Sequence, residues 1–194
     1  SVPFDVIELP SKGLLYDDCD KTIKVEYMTA EDENILTSPN LLQSGKVLDV
    51  LMERKIKQKG INAKNLLVGD RNAIMVFLRA TAYGEMYPVK LTDPTTGEEF
   101  ETEIDLNSLK IKEIGADPDE KGYFTFELKR SKKTIKFRLL TAKDEEDLVK
   151  GEERRQKVLK NNVSKLLTSR LSMQIMEVAG ETNKGYIEQF VQYM

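Results

Sequence analysis

Three strings in this chain carry residue types from which a site could be built. Asp17-Asp18-Cys19-Asp20 gathers carboxylates around a thiol. A calcium loop needs ligands at alternate positions, a glycine at the turn and a bidentate Glu about a dozen residues on; that pattern fails, so the cluster reads as a solvated turn. Lys129-Arg130-Ser131-Lys132-Lys133 is a basic tip preceded by Tyr123, Phe124 and Phe126, a mixture that can hold single-stranded nucleic acid by counterion release and stacking. Phe124 and Phe126 fall on one strand face, which points to a core and leaves the tip a solvated turn. A nucleic-acid-binding accessory protein using 129–133 remains the alternative reading. The most distinctive string is Leu66-Leu67-Val68-Gly69-Asp70-Arg71-Asn72. Gly69 permits a turn and Asp70 caps the following helix. Arg71 and Asn72, in its first exposed turn, are either solvated surface or a polar contact for a partner.

The residues the chain lacks narrow the chemistry further. It has 194 residues and no histidine, which removes Ser-His-Asp and Cys-His catalysis, His-containing zinc sites and imidazole switches. One cysteine, Cys19, cannot form an intramolecular disulfide. No Gly-rich loop leads into Lys-Ser/Thr, so there is no phosphate cradle. Carboxylates are plentiful, but none stands in a pocket-forming context. The expectation is a protein without catalytic residues, metal or cofactor. A net charge of −3 gives no chain-wide field toward nucleic acid or anionic lipid. No apolar run approaches the ~20 residues needed to span a bilayer, and Ser1–Leu9 lacks a secretory pattern. Apolar content of 40% beside 32% charged residues is that of a folded, soluble domain.

The elements follow from periodicity. Phe4–Leu9 reads as an extended arm, and Ile23, Val25 and Tyr27 alternate as a half-buried strand does. Thr29 caps a short helix that stops at Ser38-Pro39-Asn40. Val47, Leu48, Leu51 and Met52 recur at helical spacing. The most apolar helix, Arg71–Tyr83, is expected to be central and largely buried, and it ends at Gly84. Tyr87–Leu91 and Glu99–Leu106 flank a hairpin loop, Thr92–Gly97. Ile111–Ile114 is a possible edge segment. Strands over Tyr123–Leu128 and Thr134–Leu139 follow. Thr141 caps a charged helix to about Leu159, and a second helix is expected over Val163–Val178. A final amphipathic helix carries Tyr186, Ile187, Phe190, Val191 and Met194 and has no cap; either the chain continues beyond Met194 or a partner holds its last turn. Tyr186, Phe190 and Met194 are therefore candidate contacts. The fold class is α+β: antiparallel hairpins and small sheets packed with helices, with a helical C-terminal third. Its divisions are an N-terminal strand–helix lobe (1–84), a β-hairpin region (85–140) and a helical region (141–194).

One pattern is written twice. Thr22–Leu36 and Thr134–Leu148 align without a gap, sharing Thr, Ile, Lys, Thr, Ala, Asp, Glu and Leu. Each reads as an alternating strand, a Thr cap (Thr29, Thr141) and a helix whose acidic first turn suits the positive end of the helix dipole. The agreement extends to a surface Lys, which favours duplication of a strand–turn–helix unit over chance grammar.

The ordered set Leu9-Pro10-Ser11-Lys12-Gly13, Met28-Thr29-Ala30-Glu31-Asp32-Glu33, Leu36-Thr37-Ser38-Pro39, Leu66-Leu67-Val68-Gly69-Asp70-Arg71-Asn72-Ala73-Ile74 and Tyr83-Gly84 resembles the T4-type phage baseplate hub protein family. The resemblance continues through Asp93–Gly97 and Phe137–Asp144. Many members carry a Cys-Pro-x-Cys-Gly knuckle at the hairpin tip; here it is Asp93-Pro94-Thr95-Thr96-Gly97, so no metal is carried over. The resemblance implies a structural or assembly protein of the contractile-tail baseplate hub, binding other hub and tail proteins without catalysis. Self-association is a further possibility, whereas nucleic acid and membrane are not expected partners. Its implied place is the host bacterial cytoplasm during assembly and the virion tail baseplate.

Overall fold

Ile23 and Val25 alternate with Lys24 and Glu26, and the period of two sends both aliphatic side chains to one buried face. They lie on β2 (Thr22–Glu26), which pairs antiparallel with β1 (Phe4–Glu8) in the register Ile7–Ile23 and Asp5–Val25. The arm foreseen at the N-terminus is thus a paired strand. These relationships come from a computed structural model describing residues 1–110, 112, 114–159 and 163–194. The suggested edge segment Ile111–Ile114 includes positions 111 and 113 and lies outside the described residues. The architecture is α+β, and the chain divides into two compact units: Ser1–Ala63 with Gly69–Glu113, and Lys64–Val68 with Ile114–Met194.

In the first unit, β2 leads through Thr29 into α1 (Ala30–Leu36), followed by α2 (Pro39–Ser44) and α3 (Val47–Lys55). Ser38-Pro39 does not simply end α1. Proline occupies the first position of α2, where its missing N–H has no helical partner to lose. The helix then closes on Gly45 at φ +70°. Next comes α4 (Val68–Tyr83), whose first residue belongs to the other unit's segment. It starts earlier than Asp70, so Asp70 sits buried in the first turn instead of capping it. Nor is α4 largely buried. Only Asp70, Ile74 and Leu78 are fully enclosed, because the apolar arc is wider than the surface that covers it. Tyr27 meets Phe77 with ring centroids 5.8 Å apart, tying the end of β2 to this helix. The unit ends in a two-stranded hairpin, β3 (Met86–Thr92) and β4 (Glu99–Asp105).

In the second unit, β5 (Phe124–Glu127) pairs with β6 (Thr134–Phe137), and β6 pairs with β7 (Ile175–Val178) to make a three-stranded antiparallel sheet. Among the described residues it is accompanied by α5 (Ala142–Leu159), α6 (Leu166–Gln174) and α7 (Lys184–Gln192). The helix expected over Val163–Val178 is therefore two elements. The free edge of β6 draws Ile175–Val178 into a ladder, with Arg138 N–H bonded to Gln174 O at 2.9 Å and Ala179 N–H to Thr134 O at 2.8 Å. An apolar run this short suits either period, and tertiary pairing decides it. Ile135, Ile175, Val178, Ile187 and Val191 form the core here, with Leu128, Leu171 and Phe190 packed against it. Each fully buried aliphatic contributes about 1.5–3 kcal/mol.

Both copies of the repeated pattern are strand–turn–helix units closed by the same device. Thr29 N–H donates to Asp32 Oδ2 at 2.8 Å, and Thr141 N–H donates to Asp144 Oδ2 at 2.9 Å. In each, the aspartate stands three residues into the helix, where Glu or Gln is the usual partner. Each also takes a cation. Arg54 and Lys55 reach Asp32 from α3, and Arg138 reaches Asp144 from the end of its own strand.

Candidate protein-interaction site

The hairpin is amphipathic by register. Tyr87 faces Ile104, Val89 faces Thr102 and Leu91 faces Phe100, so these side chains share one face. On the opposite face Pro88 pairs with Glu103, Lys90 with Glu101 and Thr92 with Glu99. Inward positions of a small sheet normally meet a core. Here Tyr87, Leu91 and Phe100 remain 43%, 45% and 48% exposed, and two strands alone are marginal without something to cover their apolar face. The tip needs no metal to close. Asp93 Oδ1 accepts from Thr95 N–H at 2.7 Å and Thr96 N–H at 3.2 Å, and Gly97 at φ +74° completes the turn. Those amide bonds hold the Asp93 carboxyl below its ordinary range. The thiolate positions of the knuckle are occupied by this engaged Asp93 and by Thr96, which do not make a zinc site.

At the base of the hairpin lies an apolar groove of about 400 Å³. Leu36 of α1 and Leu48 and Leu51 of α3 form one wall; Met75, Val76 and Leu78 of α4 form another; Tyr83, Tyr87 and Leu106 close it. Arg79 stands at its mouth, its guanidinium 5.0 Å from the Tyr83 ring centre and 5.3 Å from that of Tyr87. It donates to Gly84 O at 3.2 Å. Tyr83 hydroxyl bonds to Glu33, which raises the phenol's pKa. The groove and the hairpin face share Tyr87, so the first unit offers one continuous apolar surface with the Arg79 cation beside Tyr87. Such a surface is suited to holding a protein segment.

The residues singled out in the sequence take varied positions. Arg71 donates to Asp49 at 3.0 Å, joining α4 to α3, while Asn72 beside it is exposed. Asp70 is fully buried and accepts from Ser11 N–H at 3.0 Å, Ser11 Oγ at 2.5 Å and Tyr16 hydroxyl at 2.7 Å. Gly69 precedes it with open space around its α-carbon. Asp70 therefore anchors the Pro10–Gly13 turn, and two separate strings prove to be one contact. In the second unit, Tyr186 and Met194 are 38% and 59% exposed, and Phe190 is half-buried with Lys133 5.4 Å above its ring. Ile187 and Val191 occupy the core. Arg71 and Asn72 belong to the first unit, and Tyr186, Phe190 and Met194 to the second. At the basic tip, Lys129, Arg130 and Lys132 are exposed; Phe124 is buried against Phe137, but Phe126 is 49% exposed.

The two cap carboxylates are held by neighbouring cations. Burial pushes the Asp32 carboxyl up, but Lys55, the Thr29 amide and hydroxyl, and Arg54 outweigh it and hold it at about 2. Asp144 is held low in the same manner by Arg138 and Thr141 against the cost of burial. A cavity of about 330 Å³ in the second unit is lined by Thr168, Ser169, Ser172, Lys165, Lys184 and Glu188 among others. Its one carboxylate, Glu188, is not the carboxylate pair that glycoside hydrolysis uses. Among the described residues no cluster of His, Cys, Asp or Glu could hold a metal, and no helix is long and apolar enough to cross a membrane.

The groove and the exposed hairpin face were not singled out from sequence. Alternation marks Tyr87, Val89, Leu91, Phe100 and Ile104 as an apolar face, but alternation alone does not reveal how much of it stays exposed. Residues 4–124 match the family model described as T4 bacteriophage base plate protein. No curated protein and no solved structure matches the chain.

Proposed function

The chain belongs to the T4 bacteriophage base plate protein family, and from that premise we propose that it is a hub subunit or hub assembly protein of the contractile-tail baseplate. It acts by binding other tail proteins, without catalysis, in the host cytoplasm during assembly and then at the baseplate. The observation that supports this reading most is the uncovered apolar surface of Tyr83, Tyr87, Leu91 and Phe100, which lies inside the family-matched residues. A surface of this kind on a folded unit is a docking surface for protein. Exposed Tyr186, near the start of α7, and Met194, just beyond its end, add further contacts, and Arg71 and Asn72 rim the start of α4.

Co-expression with the neighbouring tail and baseplate proteins of the same phage, followed by pull-down and mass measurement, tests the proposal. A stoichiometric complex with a hub protein is expected. Failure to form a complex with any of them overturns it.

A further inference from the structure

The two open edges of the hairpin are not equivalent. Asp93 N–H bonds to Glu98 O at 2.9 Å and Leu106 N–H to Glu85 O at 2.8 Å, which fixes the phase of the ladder. In an antiparallel pair, hydrogen-bonded and non-hydrogen-bonded positions alternate. The backbone groups of Tyr87, Val89 and Leu91 therefore face Ile104, Thr102 and Phe100, and those of the residues between them point outward. On β3 the outward residues are Met86, Pro88, Lys90 and Thr92, and Pro88 has no N–H to offer, which interrupts that edge. On β4 they are Glu99, Glu101, Glu103 and Asp105. No proline interrupts them, and among the described residues no strand pairs with that side. The Asp105 carbonyl already accepts Ser108 Oγ at 2.6 Å, so Glu99, Glu101 and Glu103 form the available ladder. The edge of β1 differs: its outward Val6 N–H is taken by Asp5 Oδ1 at 2.9 Å.

We propose that the open edge of β4 accepts an extended segment of another protein in which apolar residues alternate with lysine or arginine. This rests on the reading of the hairpin as a docking element of a baseplate protein. A strand added here places alternate side chains on the two hairpin faces. One set falls beside Phe100, Thr102 and Ile104, which calls for apolar residues. The other falls beside Glu99, Glu101 and Glu103. Across 86–105 there are six acidic residues (93, 98, 99, 101, 103 and 105) against the single base Lys90, and Lys90 engages Glu101 at 3.4 Å. The second set must therefore be basic. The same charge rejects a second copy, because pairing two β4 edges would set glutamate against glutamate. The edge selects a partner as well as attracting one.

The full chain, ¹⁵N-labelled, is titrated with a capped heptapeptide Lys-Val-Lys-Val-Lys-Val-Lys, with a block peptide of the same composition, and with the glutamate–valine alternation. The alternating basic peptide is expected to bind, to shift the amides of Glu99, Glu101 and Glu103 most, and to weaken as salt rises. Glu101→Pro removes one outward N–H while leaving the β3–β4 ladder whole, and should weaken binding about tenfold or more. Glu101→Gln with Glu103→Gln changes charge without touching the backbone and should weaken it as well. Absence of binding, equal binding of the block peptide, or indifference to Glu101→Pro overturns the proposal and leaves the acidic edge as protection against self-pairing. A chain that captures tail proteins but not this peptide loses the strand-acceptor inference and keeps the hub reading. One that binds the peptide but captures no tail protein does the reverse.

Discussion

Ser11 Oγ donates to the Asp70 carboxylate at 2.5 Å across 59 positions of sequence. With the Ser11 amide and the Tyr16 hydroxyl, it gives the buried carboxylate three donors. The turn that presents Ser11 tolerates little change. Gly13 has φ +70°, and a Cβ there would lie 2.2 Å from Asp20 O. Asp70→Ala strands a buried amide and a phenol, and should lower stability by about 2–4 kcal/mol in denaturant titration. Ser11→Ala keeps the Ser11 amide bond but loses the hydroxyl bond and the acceptor of Gly13 N–H, and should cost about 1.5–2 kcal/mol. Equal losses would show that the hydroxyl, not the whole node, carries the contact.

Asp32 makes the first unit acid-sensitive. Its folded pKa of about 2 lies below the unfolded value of about 3.9. The stabilisation is therefore fully present above pH ~4 and is lost as pH falls through the folded value, a contribution of about 2 kcal/mol. Glu152, held at about 2 by Arg155, adds to the slope in the wild type. Asp32→Asn should flatten the stability profile between pH ~4 and ~2. It should also destabilise at neutral pH by about 3 kcal/mol, because Lys55, 3% exposed, loses its counter-charge. A variant with an unchanged acid slope would remove Asp32 from this role.

The apolar surface separates stability from binding. Tyr87 and Phe100 are close to half-exposed, so Tyr87→Ser with Phe100→Ser should change unfolding free energy by no more than about 1 kcal/mol. The same pair should reduce capture of tail proteins about tenfold or more if it lies at the centre of an interface. Unaltered capture would move the contact to the C-terminal residues, where Tyr186→Ala and Met194→Ala become the informative substitutions.

Much of this fold is legible in the residues. Alternation locates β2, β3, β4 and β6, and the Thr29 and Thr141 caps place α1 and α5 to the residue. The repeat is visible because the same strand, cap and acidic turn recur 112 positions apart (134 − 22). What escapes is set by pairing over distance. Nothing local says that Asp70 will meet Ser11, since capping and burial both suit an aspartate at a helix start. Nothing local says that Pro39 opens a helix, as proline both ends one and begins one. The site is the least legible part, because exposure of Tyr87 and Leu91 depends on what fails to cover them.

The C-terminal arc is where the two periods compete, and it supplies a direct test. Leu167 and Val178 would share one apolar helix if Val163–Val178 were continuous. Instead α6 ends at Gln174, Leu167 is 67% exposed and Val178 is fully buried on β7 opposite Ile135. Removing two methyl groups from a closed core costs about 1–2.5 kcal/mol, whereas trimming an exposed leucine stays within about 0.5 kcal/mol. Val178→Ala should therefore lower the denaturation midpoint clearly and Leu167→Ala hardly at all. Amide exchange gives a second reading: Arg138 and Ala179, bonded to Gln174 O and Thr134 O across the β6–β7 ladder, should exchange slowly. Fast exchange at both, with matched losses in the two alanine variants, would restore the continuous helix.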